Sequence, residues 1–379
     1  MSRVNNLIKK LCPNGVEYKK INELVDYIQP SKYIVKSTNY NNQYKIPVLT
    51  AGQTFILGYT NEEFGLYDAS EEKPVIIFDD FTTSNHWVNF KFKVKSSAMK
   101  ILVSKSSENF KYIFYCIQNL QYSPKTHSRQ WISKFSEFKI PVPPIEVQNE
   151  IVRILDKFGE LEAELEAELE ARKSQYEFWR GKLLSKGNPG TLGDIGKILM
   201  CKRVYKNQTN VTGDIPFYKI GTFGGKPDAF ISYDLWNDYK EKYSYPKKGD
   251  ILFSASGTIG KCVVFNGEPA YFQDSNIVWI GNDEKKILNK YLYYIYQTNP
   301  WKISNGGTIP RIYSDNIKQA VINIPSISEQ EKAIKILDRF DTLINDISIG
   351  IPAEIEARRQ QYEYYRNKLL SFEEMIVNE

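Results

Sequence analysis

Two short segments carry side chains suited to reading the edges of nucleic-acid bases. Lys125-Thr126-His127-Ser128-Arg129-Gln130 lies just before a proline-marked helix start. Gly306-Gly307-Thr308-Ile309-Pro310-Arg311 occupies the matching place later in the chain, with Arg129 and Arg311 separated by 182 positions. Arginine can bind guanine with both arms of its guanidinium, and glutamine can pair in the same way with adenine. For Arg129 a phosphate contact or an internal salt bridge is the competing role. Thr50-Ala51-Gly52-Gln53 and Phe81-Thr82-Thr83-Ser84 are small polar loops after expected strands, and plain turns would look the same. Lys91, Lys93 and Lys95 alternate with Phe92 and Val94, which places three lysines on one face of a strand. That suits a ridge against a phosphate backbone, or equally a solvated edge strand.

Catalytic chemistry is not legible. The two histidines, His86 and His127, and four scattered cysteines form no metal-ligand spacing. The cysteines read as small buried hydrophobes. The stretch ASGTIGKC (255–262) has a core like a phosphate loop. It carries Ala255 and Cys262 where Gly and Ser/Thr are required, and an expected strand follows it instead of a helix. No NPPY- or DPPY-type methylation motif is present. Asp79-Asp80 lacks a nearby ExK partner, so a hydrogen-bonded turn is the better reading than a nuclease site.

The elements that must position these loops are written twice. VPPIEVQNEIVRILDKF (142–158) returns as IPSISEQEKAIKILDRF (324–340), and EARKSQYEFWRGKLLS (170–185) returns as EARRQQYEYYRNKLLS (356–371). The second pair is identical at 11 of 16 positions. One shift is 182 residues and the other 186. Each copy has apolar residues spaced by three and four, which predicts a long helix with a seam for another helix. The first spans about 147–185 and starts after Pro143-Pro144; the second spans about Ser328–Ser371 and should be kinked or interrupted at Gly350-Ile351-Pro352. The two should pack antiparallel. A tandem LEAE-LEAE-LEAR (161–172) lies in the first where the copies differ by four residues, as an adjustable spacer would. Between the helices, short β-branched and aromatic runs predict mixed α/β lobes: PVIIF (74–78), HWVNFKFKV (86–94), GDILFSA (249–255), KCVVF (261–265) and NIVWI (276–280). Short aromatic helices are expected at Phe110–Ile117 and Tyr291–Tyr296. The pair IPV (46–48) and IPF (215–217) suggests that both lobes share one fold.

Charge follows the same division. The 379-residue chain has a net charge of +5. Residues 1–143 carry 19 basic against 12 acidic side chains, and 186–325 carry 18 against 12. The helical stretches reverse this, with 6 against 10 in 144–185 and 7 against 11 in 326–379. Basic lobes suit a polyanion, although an excess of this size is also ordinary surface scatter. With 42% hydrophobic residues and no apolar run of membrane-spanning length, the expectation is a globular cytoplasmic protein without a secretion signal.

Two variable lobes, each followed by a Q…I..iLD.F stretch and a helix ending in AR..QYE..R.KLLS, resemble the specificity subunit of type I restriction–modification enzymes. LCPNGVEY (11–18) resembles the family's start, and the LEAE repeat resembles a central repeat whose copy number sets the gap between half-sites. The resemblance covers the whole chain. It implies a pseudo-twofold α/β (α+β) architecture: target recognition domains at 1–143 and 186–325, and antiparallel coiled-coil spacer helices at 144–185 and 326–379. Each lobe would read half of an asymmetric bipartite site in double-stranded DNA. The helices would set the gap and dock two methyltransferase subunits, with restriction and translocase subunits joining that core. S-adenosylmethionine, ATP and magnesium would serve those partners, and this chain would hold no cofactor and no catalytic residue. Ser254-Ala255-Ser256-Gly257-Thr258 and Gln273-Asp274-Ser275-Asn276 resemble loops of the family, with plain turns as the alternative. The expected DNA contacts are then Gln53, Thr82, Thr83, Ser84, Lys91, Lys93, Lys125, Arg129 and Gln130 in the first lobe. In the second they are Ser254, Ser256, Thr258, Gln273, Asn276, Thr308 and Arg311. Tyr176, Trp179, Tyr362 and Tyr365 are candidates for methyltransferase docking, or for the seam between the helices, which Leu155, Phe158, Leu337 and Phe340 should fill. A self-contained restriction or modification enzyme and a coiled-coil scaffold without a DNA role remain the readings from other classes.

Overall fold

The structure, a computed structural model, describes residues 2–50, 54–303 and 310–375. The chain forms two compact units. One comprises the residues up to Leu165 together with those from Ile355 onward, and the other is Glu166–Glu354.

In the first unit the PVIIF run becomes the strand Val75–Asp79, buried at every position. It pairs antiparallel with Met99–Ser104 on one side and Asn85–Val88 on the other, and Val25–Ile28 lies outside Met99–Ser104. A strand covered on both faces needs no polar alternation, which is why it reads as a continuous apolar run. The second unit repeats the arrangement. Ile251–Ser254 lies between Ile277–Ile280 and Cys262–Val264, with Ile198–Leu199 beyond Ile277–Ile280. Both units add a three-stranded sheet with one parallel pairing, centred on Ile46–Leu49 in the first and Ile215–Tyr218 in the second. The matched IPV and IPF segments are these central strands. A two-stranded ribbon completes each lobe: Glu17–Lys20 with Lys139–Val142, and Asn188–Thr191 with Val321–Ile324.

One expected strand is two. HWVNFKFKV forms Asn85–Val88 and Lys93–Val94, which belong to different sheets. The three-lysine ridge therefore does not exist. Lys91 is exposed and pairs with Asp68 at 3.0 Å. Lys93 is only 1% exposed, lies 2.9 Å from Glu62 and donates to the Phe64 carbonyl at 2.8 Å.

The first spacer helix runs unbroken over 40 residues, Ile145–Leu184. The second is two helices, Ile327–Asn345 and Ile351–Leu369. Between them the Asp346 carboxylate accepts from the Ser348 amide (2.8 Å) and hydroxyl (2.5 Å), closing a turn. A Cβ on Gly350 would lie 2.6 Å from the carbonyl oxygens of Thr342 and Asp346, so only glycine fits. Pro352 then falls in the first turn of the new helix, where its missing N–H costs nothing. The four residues that distinguish the 182 and 186 shifts thus fall where the second copy spends residues on a turn.

Within each unit the helix segments pack antiparallel. In the first, Val147, Ile151 and Leu155 are fully buried in one core with Leu369 and Leu370, and Phe158 stacks on Tyr365 at 5.6 Å. Arg359 pairs with Glu162 one step further along. In the second, Tyr176 meets Phe340 at 6.1 Å in a core that includes Leu183, Ala333 and Leu337. Each buried Leu, Ile or Phe contributes about 1.5–3 kcal/mol from apolar burial, so the seams are the main hold on the helices. Among the described residues, the ten-residue helices Ser2–Leu11, whose Val4 enters the first unit's core, and Tyr233–Lys242, capped by Ser232, lack a repeat counterpart.

Candidate nucleic-acid interface

The loop after the central strand of the four-stranded sheet, Val75–Asp79 or Ile251–Ser254, and the loop carrying Arg129 or Arg311 are tied together in both lobes by the same backbone bond. The Gln130 amide donates to the Asp80 carbonyl at 2.8 Å, and the Ile312 amide donates to the Ala255 carbonyl at 2.9 Å. Asp80 and Ala255 each follow the end of the central strand directly. The two arginines therefore stand at equivalent positions of the two lobes.

In the first lobe side-chain hydrogen bonds close the turn. The Asp79 carboxylate accepts from the Phe81 amide (2.8 Å), the Thr82 amide (3.2 Å) and the Thr82 hydroxyl (2.7 Å). Thr83 sits in the left-handed region at φ +64°, which such a tight turn imposes. Asp80 is 1% exposed and accepts from the amides of Gln130 and Trp131 at 3.1 and 2.8 Å. Its other oxygen lies 3.4 Å from the ammonium of Lys100, which is 2% exposed and donates to Gln29. This buried pair anchors the base of the Arg129 loop, and the Phe81 ring stacks on His127 at 4.8 Å to join the two loops above it. The Asp79-Asp80 pair is thus a loop anchor.

The side chains divide sharply by availability. Thr82, Ser84, Lys125, His127 and Arg129 are exposed, and Arg129 has no ion-pair partner among the described residues. Gln130 is internal: its carbonyl oxygen accepts from Tyr122 at 2.7 Å and its amide donates to the Ser128 carbonyl at 2.6 Å. Thr83 is buried, and its hydroxyl bonds the Thr82 carbonyl. Gln130, Thr83 and Lys93 therefore leave the contact set. Gln53 lies outside the described residues.

In the second lobe Ser254 is also internal. Its hydroxyl donates to the Thr258 carbonyl and accepts from the Lys261 amide at 2.9 Å, closing the loop. Ser256 is 5% exposed and bonds Asn276 at 2.9 Å, and Arg311 reaches the same Asn276 oxygen at 3.4 Å. Ser254 and Ser256 are positioners of the loop. The Gln273 carbonyl oxygen accepts from the Ile220 amide at 2.9 Å, while Thr258 is exposed. Thr308 lies outside the described residues. Gln273, Asn276 and Arg311 line a cleft of about 700 Å³ together with Arg203, Tyr205, Lys206, Asn210 and Lys219. Arg203 is held by Asp274 at 2.8 Å. The second group was missed in the sequence, although the run Lys202-Arg203-Val204-Tyr205-Lys206 interleaves cations with an aromatic ring. A cleft with several cations and amide side chains offers both phosphate and base-edge partners.

Of the docking candidates, Tyr176 is core, 5% exposed, with its hydroxyl on Gln297 at 3.1 Å. Tyr362 and Tyr365 pack on Phe158. Trp179 is half-buried beside Phe178, which is 64% exposed; Tyr364, at the repeat position of Phe178, is 59% exposed. No group of three or more His, Cys, Asp or Glu among the described residues could hold a metal ion, and no described helix is long and apolar enough to cross a membrane.

Known proteins match along the whole chain. The family described as the type I restriction modification DNA specificity domain matches twice, at residues 13–171 and 186–357. A Haemophilus influenzae protein assigned as a type I restriction enzyme specificity subunit is 44% identical, covering 97% of this chain and 98% of its own. The specificity subunit of a type I restriction enzyme of Escherichia coli is 40% identical, covering 98% of each. The crystal structure of a type I restriction–modification S subunit from M. genitalium covers 94% of this chain and 96% of its own, with a TM-score of 0.53 at 14% identity, and so shares the fold. With the family matched once over each lobe and its following helix, this chain belongs to the type I restriction–modification DNA specificity subunits.

Proposed function

We propose that each lobe reads one half of an asymmetric bipartite site in double-stranded DNA, through the loop pair at the end of its central strand. The observation that carries this is the repeated bond between those loops, Gln130 to Asp80 and Ile312 to Ala255, which presents Arg129 and Arg311 from one scaffold amid different neighbours. A shared scaffold with different loops gives a common approach to the phosphates and different base contacts. Exposed Thr82, Ser84, Lys125 and Arg129 form the first reading surface; Arg203, Lys206, Gln273, Asn276 and Arg311 form the second. Recognition domains at 1–143 and 186–325 with spacers at 144–185 and 326–379 follow from this division.

The acidic spacers face partners. Trp179 with Phe178, and Tyr364 on the other helix, are the accessible aromatics for docking two methyltransferase subunits, which in turn recruit restriction and translocase subunits. S-adenosylmethionine, ATP and magnesium belong to those partners, and the complex works in the cytoplasm. A spacer of about 50 Å corresponds to about 15 base pairs at ~3.4 Å each. Modification-sensitive sequencing of host DNA tests the reading: two unlike half-sites at a fixed gap are expected. Failure of the assembled methyltransferase complex to prefer any sequence would overturn it.

A further inference from the structure

Two letters that the internal repeat keeps identical, its glutamine and its aspartate, form a polar clasp that occurs once in each unit. In the first, Gln148 is fully buried in the opening turn of the spacer helix. Its amide donates to the Pro143 carbonyl at 2.7 Å and to Glu108 at 2.5 Å, and its oxygen accepts from the amide of Asn109, which caps the aromatic helix Phe110–Asn119. Eight residues on, Asp156 accepts from the Tyr115 hydroxyl at 2.5 Å and lies 2.9 Å from the Lys111 ammonium. In the second unit Gln330, also fully buried, donates to the carbonyls of Pro325 and Lys286, both at 2.9 Å, and accepts from the Leu288 amide at 2.8 Å. Eight residues on, Asp338 accepts from the Tyr294 hydroxyl and lies 3.0 Å from Lys290. Lysine and tyrosine stand four apart on both aromatic helices.

Apolar packing alone would hold two helices together, and a buried polar group is a costly way to gain stability. What directional hydrogen bonds add is a single rotation and a single axial register. The aromatic helices reach the sheets that carry the reading loops. Phe110 and Phe114 pack on Trp87 of the strand Asn85–Val88, and Tyr296 packs on Phe253 of the strand Ile251–Ser254. Each clasp therefore links a spacer helix, through one helix, to one reading surface.

We propose that Gln148, Asp156, Gln330 and Asp338 are positioning residues for recognition: without touching DNA, the two clasps fix how each lobe is held on its spacer, and so the gap at which the half-sites are accepted. This rests on the bipartite reading above. The test uses the complete methyltransferase complex assembled with Tyr294→Phe, Asp338→Asn, Tyr115→Phe or Asp156→Asn. Methylation is measured on DNA holding the mapped half-sites at gaps from two base pairs shorter to two longer. The expected result is that neighbouring gaps gain about tenfold relative to the native gap, a factor equivalent to about 1.4 kcal/mol, with base preference in both half-sites unchanged. The tyrosine variants keep the ring and its packing, so the test survives if an aspartate variant does not assemble. An unchanged gap profile, whatever the loss in melting temperature, overturns the proposal, as does altered base preference. A wild-type complex without any bipartite preference would instead defeat the underlying functional reading.

Discussion

Arg311 and Asp80 illustrate two ways in which one residue can govern a reading loop. Arg311 is exposed at the rim of the second cleft and shares Asn276 with Ser256. Arg311→Ala should weaken cognate DNA binding by about 1–3 kcal/mol and relax specificity at one position. A titration on cognate and random duplexes checks this; equal losses on both would make it a phosphate contact only. Asp80 is buried below the loop, and it holds Lys100, Gln130 and Trp131. Asp80→Ala leaves the Lys100 charge buried without its carboxylate, and should cost about 3–5 kcal/mol of stability, read by urea unfolding of the first unit. The types of residues 125–130 were legible as a polar, arginine-bearing loop. Which of them point outward was not, because the answer depends on Asp80 and Tyr122, and the first lies fifty positions away. Lys93 was misread for the same reason: its partner Glu62 and the ring of Phe64 come from a different strand connection.

At the level of elements, periodicity was a reliable guide where the pattern was long. The spacer helices, their antiparallel seams and the break near Gly350-Ile351-Pro352 all follow from spacing and proline chemistry. The lysine strand failed because alternation over nine residues cannot reveal that the chain leaves one sheet at Asn89 and joins another at Lys93. The N-terminal helix Ser2–Leu11 shows Val4, Leu7, Ile8 and Leu11 at helical spacing and could have been anticipated. The break in the second spacer makes its own prediction. Gly350→Ala drives a methyl group into the carbonyls of Thr342, Leu343 and Asp346. It should lower the melting temperature by several degrees, for a cost of about 1–3 kcal/mol from overpacking. Scanning calorimetry checks it, and an unchanged transition would show that the turn can shift to make room.

For the whole molecule, the division between the compact units falls between Leu165 and Glu166, inside the LEAE repeat, and between Glu354 and Ile355 in the second copy. The first helix crosses this division without a break. Deleting one LEAE (residues 161–164) removes about 6 Å of helix at ~1.5 Å per residue. The recognised gap should shorten while both half-sites stay the same, read by mapping methylated positions in cells carrying the deletion. Retention of the original gap would show that the repeat is not the ruler.

The twin clasps carry a consequence for how such a protein can change. Because Gln148–Asp156 and Gln330–Asp338 offer the same acceptors at the same eight-residue interval, a lobe whose aromatic helix brings a lysine and a tyrosine four apart would meet a matching socket on either spacer. On the clasp proposal a lobe would be a cassette with a standard fitting. New target sequences would then be within reach of exchange as well as of point substitution, with the fitting itself unchanged.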